Sequence, residues 1–314
     1  MPKDPYSAWK SRQKVWLRYV NANVKAMEAG KAIPPGPSPR ALVAPVVEAV
    51  AGQQLKVVVC SPHPDDEGLI GALPLRMRME LGAAVTDCAI TFGSKLDQRP
   101  RRRRELEAAC GALGFNLVAA QSPLGFDHIN LDNRQNHPDE WAAKVEVLSA
   151  VFEKEKPDVV FAPHAQDFNS THIGTHYLAK DALGAYLART GRGPVPFIET
   201  EFWHENPRPN LMVGVTPEVE AILLMAVAEH GEEVSRNPYH LRHPGWMIDN
   251  VRLGAEVVGG QGGAAPTFPF AGLYHFAFMV GKELVAPRPG GRIIAPDEKI
   301  DLKALTETFW PEGW

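Results

Sequence analysis

The stretch VVVCSPHPDDEGLIG, residues Val57–Gly71, places a histidine and three carboxylates directly after an apolar run. The run is short and apolar throughout, which is typical of a strand buried on both faces of a sheet. Neighbouring carboxylates resist burial unless they are paired or bind a cation. His63, Asp65, Asp66 and Glu67 therefore predict either a helix cap or a site that holds positive charge. We favour the site, because a cap needs only one carboxylate.

Apolar strands and helices alternate along the chain after this stretch. Continuous apolar strands separated by helices predict an α/β fold: a Rossmann-like, mostly parallel sheet with helices on both faces. Functional sites in such sheets form in the loops at the carboxyl ends of the strands. The predicted strands are 55–60, 84–93, 115–120 and 158–163, and the predicted helices are 68–82, 101–113, 139–156 and 172–188.

The pattern is less regular after about residue 195. It predicts a strand over 196–204, a helix from Thr216 and Pro217 to about residue 233, and a strand over 272–280 within a smaller, irregular C-terminal region. Three segments follow for the whole chain: an N-terminal helix and proline-rich linker (1–50), a catalytic domain (51–285) and a C-terminal tail (286–314).

Composition narrows the class of protein. The 314 residues are 45% apolar and carry a net charge of −4, which gives no general case for nucleic acid as a partner. No stretch predicts an integral membrane segment, and three scattered cysteines predict buried free thiols in a cytoplasmic protein. Aromatic residues near the C-terminus leave a homo-oligomer open. The basic run Arg101–Arg104 is either a phosphate-binding site or the solvent-exposed start of a helix.

A second polar cluster, PHAQDFNSTHIGTH, occupies residues 163–176 after another predicted strand. With Thr171 as the helix cap, His172 and His176 lie one turn apart on the same face. His172 stands at the helix start, where it can face the first cluster, whereas His176 is better read as an ordinary helix-face residue. Two imidazoles and one carboxylate, with a water in the fourth position, form a known catalytic zinc site. A spare carboxylate can then act as the base.

These motifs resemble the LmbE/PIG-L family, zinc-dependent de-N-acetylases of N-acetylglucosamine-type substrates. The resemblance rests on PHPDDE after the first strand and on a later Asp-x-Asn-x-x-His, and it covers roughly residues 55–190. RRRELEAACGALGF and LGFDHINL add weaker matches between the two motifs. The resemblance implies Zn²⁺, with another divalent metal left open, bound by His63, Asp66 and His172, and Asp65 as general base.

The resemblance also implies residues around the substrate. Arg102 and Asp127 would line the substrate pocket, and Glu67 would support the loop at the substrate-binding side. Asn169 stands where many family members carry a histidine, and it can donate a hydrogen bond but not a proton. His204 is therefore a candidate proton donor, with His176 and His230 as further options.

The leading expectation is a metal-dependent amidohydrolase that removes an N-acyl group, most simply acetyl, from a small amino-sugar conjugate. One alternative is an amidase for a thiol conjugate or a long-chain N-acyl substrate. Another is a non-catalytic, Rossmann-like module that only binds a metal. A dinucleotide-dependent dehydrogenase is disfavoured, because the first strand-to-helix turn is acidic and lacks Gly-x-Gly-x-x-Gly.

Overall fold

The structure is a computed structural model that describes residues 5–36 and 55–311. The helices within these ranges are α1 (Pro5–Lys31), α2 (Asp66–Leu69), α3 (Ala72–Leu81), α4 (Arg99–Leu113), α5 (Leu131–Asn136), α6 (Pro138–Glu155), α7 (Ser170–Thr190), α8 (Pro217–Ala228), α9 (Gly231–Arg236), α10 (His243–Val257) and α11 (Leu302–Phe309). The strands are β1 (Lys56–Ser61), β2 (Ala84–Ala89), β3 (Asn116–Ala119), β4 (Val159–Pro163), β5 (Val195–Thr200), β6 (Leu211–Val215), β7 (Phe270–Val280), β8 (Glu283–Val285) and β9 (Arg292–Ile294).

All nine strands belong to one sheet, in the order β3-β2-β1-β4-β5-β7-β6-β9, with β8 paired to β7. The strands from β1 to β5 run parallel to one another. β7 is antiparallel to both of its main neighbours, β5 and β6. The predicted mostly parallel α/β sheet is therefore confirmed.

The strand order places the two polar clusters side by side. β2 and β3 lie on one side of β1, and β4 and β5 lie on its other side. The loops after β1 and β4 thus leave the sheet at the point where the strand order reverses, which is where ligands bind in open α/β sheets.

The predicted helix over 68–82 is divided into two. α2 ends at Leu69, and α3 begins at Ala72. Pro74 is then the third residue of α3, a position at which its missing N–H would have no partner within the helix. Since a long helix would place Pro74 in its interior, the break at Gly71 accommodates the proline.

The core occupies both faces of the sheet. One cluster includes Val57, Phe161 and Phe276, and a second includes Val58, Val160 and Phe197, so alternate residues of the same strands serve opposite faces. The three cysteines are buried and free, as predicted.

The second half contains more regular structure than its sequence pattern predicts, including β6, α10 and α11. Residues 286–311, which the sequence analysis separates as a tail, supply β9, which pairs with β6, and Phe309, which stacks on Phe276 at 5.2 Å. No helix in the described ranges is both long and apolar enough to cross a membrane.

Candidate active site

Three predicted ligands come together at the carboxyl ends of β1 and β4. Atoms of His63, Asp66 and His172 that could bind a metal all lie within 4.8 Å of one another. Asp66 Oδ2 is 3.6 Å from His63 Nδ1 and 3.4 Å from His172 Nε2. Asp66 and His172 are each 1% exposed and the His63 side chain is 20% exposed, so a shared carboxylate lies between one buried and one partly exposed imidazole.

Residues from the neighbouring loops hold His172 in place. Its Nδ1 lies 3.7 Å from Asp167 Oδ2, and its ring stacks on Phe202 at 5.4 Å. Asp167 is itself fixed, because its carboxylate accepts hydrogen bonds from the backbone N–H groups of Asn169 and Trp203. A carboxylate behind a metal-binding histidine is the usual way to set the tautomer and ring orientation.

In the part of the chain that the structure describes, several buried polar atoms of this cluster lack hydrogen bonds, which shows whether a cation fits the site. Asp66 Oδ1 and both ring nitrogens of His172 are buried and form no hydrogen bond within the described residues. Buried polar atoms are rarely left in this state without a water or an ion. The donor set of two imidazoles and one carboxylate, together with these unsatisfied atoms, fits a divalent cation.

Charge within the cluster acts on each group. Burial raises the pKa of Asp66, but the charge of His172 and the hydrogen bonds with His63 outweigh this, so its pKa lies below the usual range. Burial lowers the pKa of His172, and the charges of Asp66 and Asp167 outweigh that, so its pKa is raised. Asp66 is therefore ionised, as a metal ligand must be.

Asp65 stands next to the cluster in a strained backbone conformation. Its φ is +120°, which non-glycine residues rarely adopt. Its Oδ2 accepts a 2.5 Å hydrogen bond from the Tyr239 hydroxyl, and its backbone N–H donates to Glu67 Oε2 at 2.8 Å. Burial, followed by the charge of Asp66, raises the pKa of Asp65 to about 7. Strain of this kind is concentrated at functional sites.

Glu67 lies underneath the loop, out of contact with solvent. It is 0% exposed, and its Oε1 is 2.8 Å from Nε2 of the equally buried His230. The role of Glu67 at the substrate stays a prediction, and its side chain has no exposed surface in this structure. Its contacts fit the other predicted role, support of the loop. His230 is likewise engaged beneath the loop.

A further carboxylate lies deeper than the loop. Asp87 on β2 is 0% exposed and accepts a hydrogen bond from the Ser61 hydroxyl. Burial, together with the charge of Glu67, raises its pKa well above the usual range. The protonated, neutral form of Asp87 is thus favoured beneath the site.

The two predicted substrate contacts differ in position. Arg102 donates to the Pro64 carbonyl at 3.0 Å and lines a cavity of about 490 Å³ beside the loop. Other charged residues around this cavity are Lys95, Arg101, Glu232, Glu233 and Arg236. Asp127 does not line this cavity, and its half-exposed carboxylate pairs with Arg99.

Asn169 and His204 differ from their predicted structural positions. Asn169 is the helix cap of α7, because its Oδ1 accepts from the N–H of Thr171 at 2.8 Å; the prediction of Thr171 as the cap is wrong. His204 lies in the exposed loop beyond β5, which ends at Thr200, and not at the end of a strand. Its ring is 6.3 Å from that of His164.

His176 is part of a buried network behind the site. Its Nδ1 lies 2.9 Å from the Pro163 carbonyl oxygen and 3.4 Å from Glu199, whose carboxylate also bonds His275. These contacts agree with its reading as a helix-face residue with local partners.

Sequence reasoning missed several residues of the site. Asp167 belongs to the Asp-x-Asn-x-x-His motif, so its position was a usable signal. Tyr239 and Phe202 gave no signal, because nothing in their local sequence links Tyr239 to Asp65, 174 residues away, or Phe202 to the ring of His172.

The fold and the site together define a class: a Rossmann-like α/β protein with a candidate His-Asp-His metal centre at the switch point of its sheet. Residues 58–183 match the family PIG-L: GlcNAc-PI de-N-acetylase. The predicted resemblance to the LmbE/PIG-L family is therefore confirmed over these residues. No curated protein matches the chain in a sequence search.

Solved structures share the fold at low identity. The conserved protein TT1542 from Thermus thermophilus is 18% identical, with 70% of this chain and 94% of that chain covered and a TM-score of 0.51. The N,N'-diacetylchitobiose deacetylase from Pyrococcus horikoshii is 19% identical, with 72% and 84% covered and a TM-score of 0.50. GalB, the 4-carboxy-2-hydroxymuconate hydratase from Pseudomonas putida KT2440, is 18% identical, with 76% and 99% covered and a TM-score of 0.51. Since a deacetylase and a hydratase both use this fold, the fold alone does not select the reaction.

Proposed function

We propose that this protein is a cytoplasmic, metal-dependent amidohydrolase that removes an N-acyl group, in the simplest case acetyl, from an amino sugar or its conjugate. The observation that carries the proposal is the buried convergence of His63, Asp66 and His172 with Asp65 beside them. The family match supports an amino-sugar amide as the substrate class, because the family is named for a GlcNAc conjugate.

His63, Asp66 and His172 would hold the cation, and this ligand set suits zinc. When bound, the cation supplies positive charge that polarises a carbonyl oxygen and lowers the pKa of water. The chain itself keeps the ligands in position. Asp167 orients the His172 ring, and the Asp66 carboxylate is fixed by the backbone N–H of His63 at 2.9 Å.

Asp65 is the proposed general base. Tyr239 donates to its Oδ2, which leaves Oδ1 to take a proton from the attacking water. The Tyr239 hydroxyl keeps its own proton, because burial, followed by the charge of Asp65, raises its pKa. Glu67 fixes the backbone of Asp65 from below, so the base is held from two sides.

The leaving amine needs a proton, and we propose His204 as its source. The exposed His204 imidazole can reorient toward a bound substrate, whereas Asn169 has no proton to give. Asn169 can still donate a hydrogen bond through its side-chain amide. The substrate would occupy the cavity beside Arg102, whose guanidinium can bind hydroxyl or anionic groups.

The test uses the purified full chain and the variant Asp66→Asn, which removes one ligand charge at constant size. Zinc content is measured by elemental analysis, and amine release from a panel of N-acetyl amino sugars is measured with fluorescamine. We expect near-stoichiometric zinc in the wild type. In the variant most zinc should be lost, and amine release should fall more than about a hundredfold, since loss of even an outer partner of a metal site costs about 10–100-fold.

Glu220→Gln is the matched control. Glu220 is a buried carboxylate that accepts from His243 at 2.7 Å and lies outside the metal cluster. Its variant should keep zinc and activity. A wild-type protein that takes up no zinc and releases no amine would overturn the proposal. Zinc uptake with release only from thiol conjugates or long-chain amides would keep the metal centre and change the substrate class.

A further inference from the structure

Helix α1 stands out from the rest of the surface. Fourteen large apolar side chains are exposed in the described residues, and eight of them lie between Trp9 and Ile33. Trp9, Trp16 and Tyr19 are each more than 60% exposed. Single exposed apolar residues are ordinary, but such a concentration on one helix marks an interaction surface.

Most of the apolar and basic residues of α1 lie on different sides of the helix; Arg12 is an exception, because its guanidinium lies over the Trp9 ring at 5.2 Å. Trp9, Trp16, Val20 and Met27 are spaced by seven, four and seven residues, which places them in one stripe. The basic residues Lys10, Lys14, Arg18 and Lys25 are spaced by four, four and seven, and they form a second stripe on the other side. The helix is therefore amphipathic with a cationic polar face.

Charge separates this helix from the rest of the chain. α1 contains six basic residues and one acidic residue, a net charge of +5. Since the whole chain carries −4, the remainder carries −9. The chain therefore contains a local cationic segment although its net charge is negative.

We propose that α1 binds flat on an anionic lipid surface. Tryptophan and tyrosine are favoured at the boundary between headgroups and acyl chains, and lysine and arginine bind anionic headgroups. A second copy of the chain fits less well, because pairing the apolar stripes of two α1 helices would bring two segments of +5 together.

The C-terminal end of α1 packs against the turn that carries Tyr239. Gly30 packs so tightly on Leu241 that an added Cβ would lie 2.7 Å from its Cδ2 atom. Leu241 ends the 3₁₀ turn that begins at Tyr239, the residue that hydrogen-bonds Asp65. A lipid surface bound by α1 therefore lies next to the segment that holds the proposed base, which suits an amphiphilic substrate.

The experiment measures co-sedimentation of the full chain with vesicles of phosphatidylcholine alone, or of two parts phosphatidylcholine to one part phosphatidylserine. We expect binding only to the anionic vesicles, with loss of binding on going from about 0.1 M to about 1 M salt. Each basic residue near such a surface contributes about fivefold. The double variant Lys14→Glu with Arg18→Glu, and the double variant Trp9→Ala with Trp16→Ala, should each weaken binding at least tenfold. All four side chains are exposed, so the fold is retained.

Two exposed residues elsewhere provide matched controls. Lys303→Glu on α11 and Ile248→Ala on α10 should leave vesicle binding unchanged. Binding that is equal for both vesicle types, or that these controls reduce as strongly, would overturn the proposal. So would a twofold particle mass in light scattering that falls in the tryptophan variant while no vesicle binding occurs, because a second copy would then be the partner of α1.

Discussion

Glu201 provides a test of the electrostatics of the sheet edge that does not depend on the candidate metal centre. This carboxyl follows β5 and is 3% exposed. Its Oε2 accepts from the backbone N–H of Asn206 at 2.9 Å, and its Oε1 has no hydrogen-bond partner in the part of the chain that the structure describes. Burial raises the pKa of Glu201 from 4.5 to about 7. The folded protein therefore keeps this proton in a range where the unfolded chain has lost it.

Proton linkage determines whether stability rises or falls with pH. Between pH 4.5 and about 7 the folded state binds the extra proton, so stability falls as the pH rises through this window. Each pKa unit corresponds to about 1.4 kcal/mol, so burial of Glu201 lowers the free energy of unfolding by about 3 kcal/mol above pH 7. Glu201→Gln imitates the protonated form and can still accept the hydrogen bond from Asn206. The variant should thus gain about 2.5 kcal/mol relative to the wild type between about pH 5 and about pH 8.

The assay is urea unfolding of both proteins at the two pH values, with the difference in unfolding free energy as the readout. Other titrating groups are common to both proteins and cancel in that difference. Glu283→Gln, at an exposed position in β8, shows the effect of removing one surface charge. If the difference between wild type and Glu201→Gln stays constant with pH, the argument that Glu201 is protonated in the folded state is refuted.

Three further predictions concern the site. Tyr239→Phe removes the hydrogen bond to Asp65, so kcat should fall about tenfold while zinc content is unchanged; equal kcat would show that the bond does not position the base. His230→Ala leaves Glu67 buried without its partner, and urea unfolding should show a loss of about 3–5 kcal/mol. His204→Gln should lower kcat about a hundredfold at unchanged zinc content and unfolding free energy, whereas full activity would exclude His204 as the proton donor.

The parallel half of the sheet could be read from the sequence because its signals are local. Short apolar strands alternate with helices, and polar clusters follow the strands. Any such pattern places the carboxyl ends of the parallel strands at the same edge. His172 was therefore predicted to lie near His63 and Asp66, as the structure shows.

The strands of the second half of the chain could not be predicted in the same way. β9 has only three residues, and β7 runs antiparallel to its main neighbours, β5 and β6, so the strand–helix repeat of the first half does not continue here. Strand pairing in such a region depends on partners distant in the chain, which no window of sequence contains.

The sequence by itself determined the fold class, the side chains of the candidate metal centre and the place of that centre on the sheet. Only the tertiary structure decided which groups surround them. Tyr239 reaches Asp65 across 174 residues, and His230 reaches Glu67 across 163 residues. The burial of Glu67 beneath the loop could not be read from the sequence either. Such contacts depend on packing between distant segments, whereas a strand followed by a polar loop is set by neighbouring residues alone.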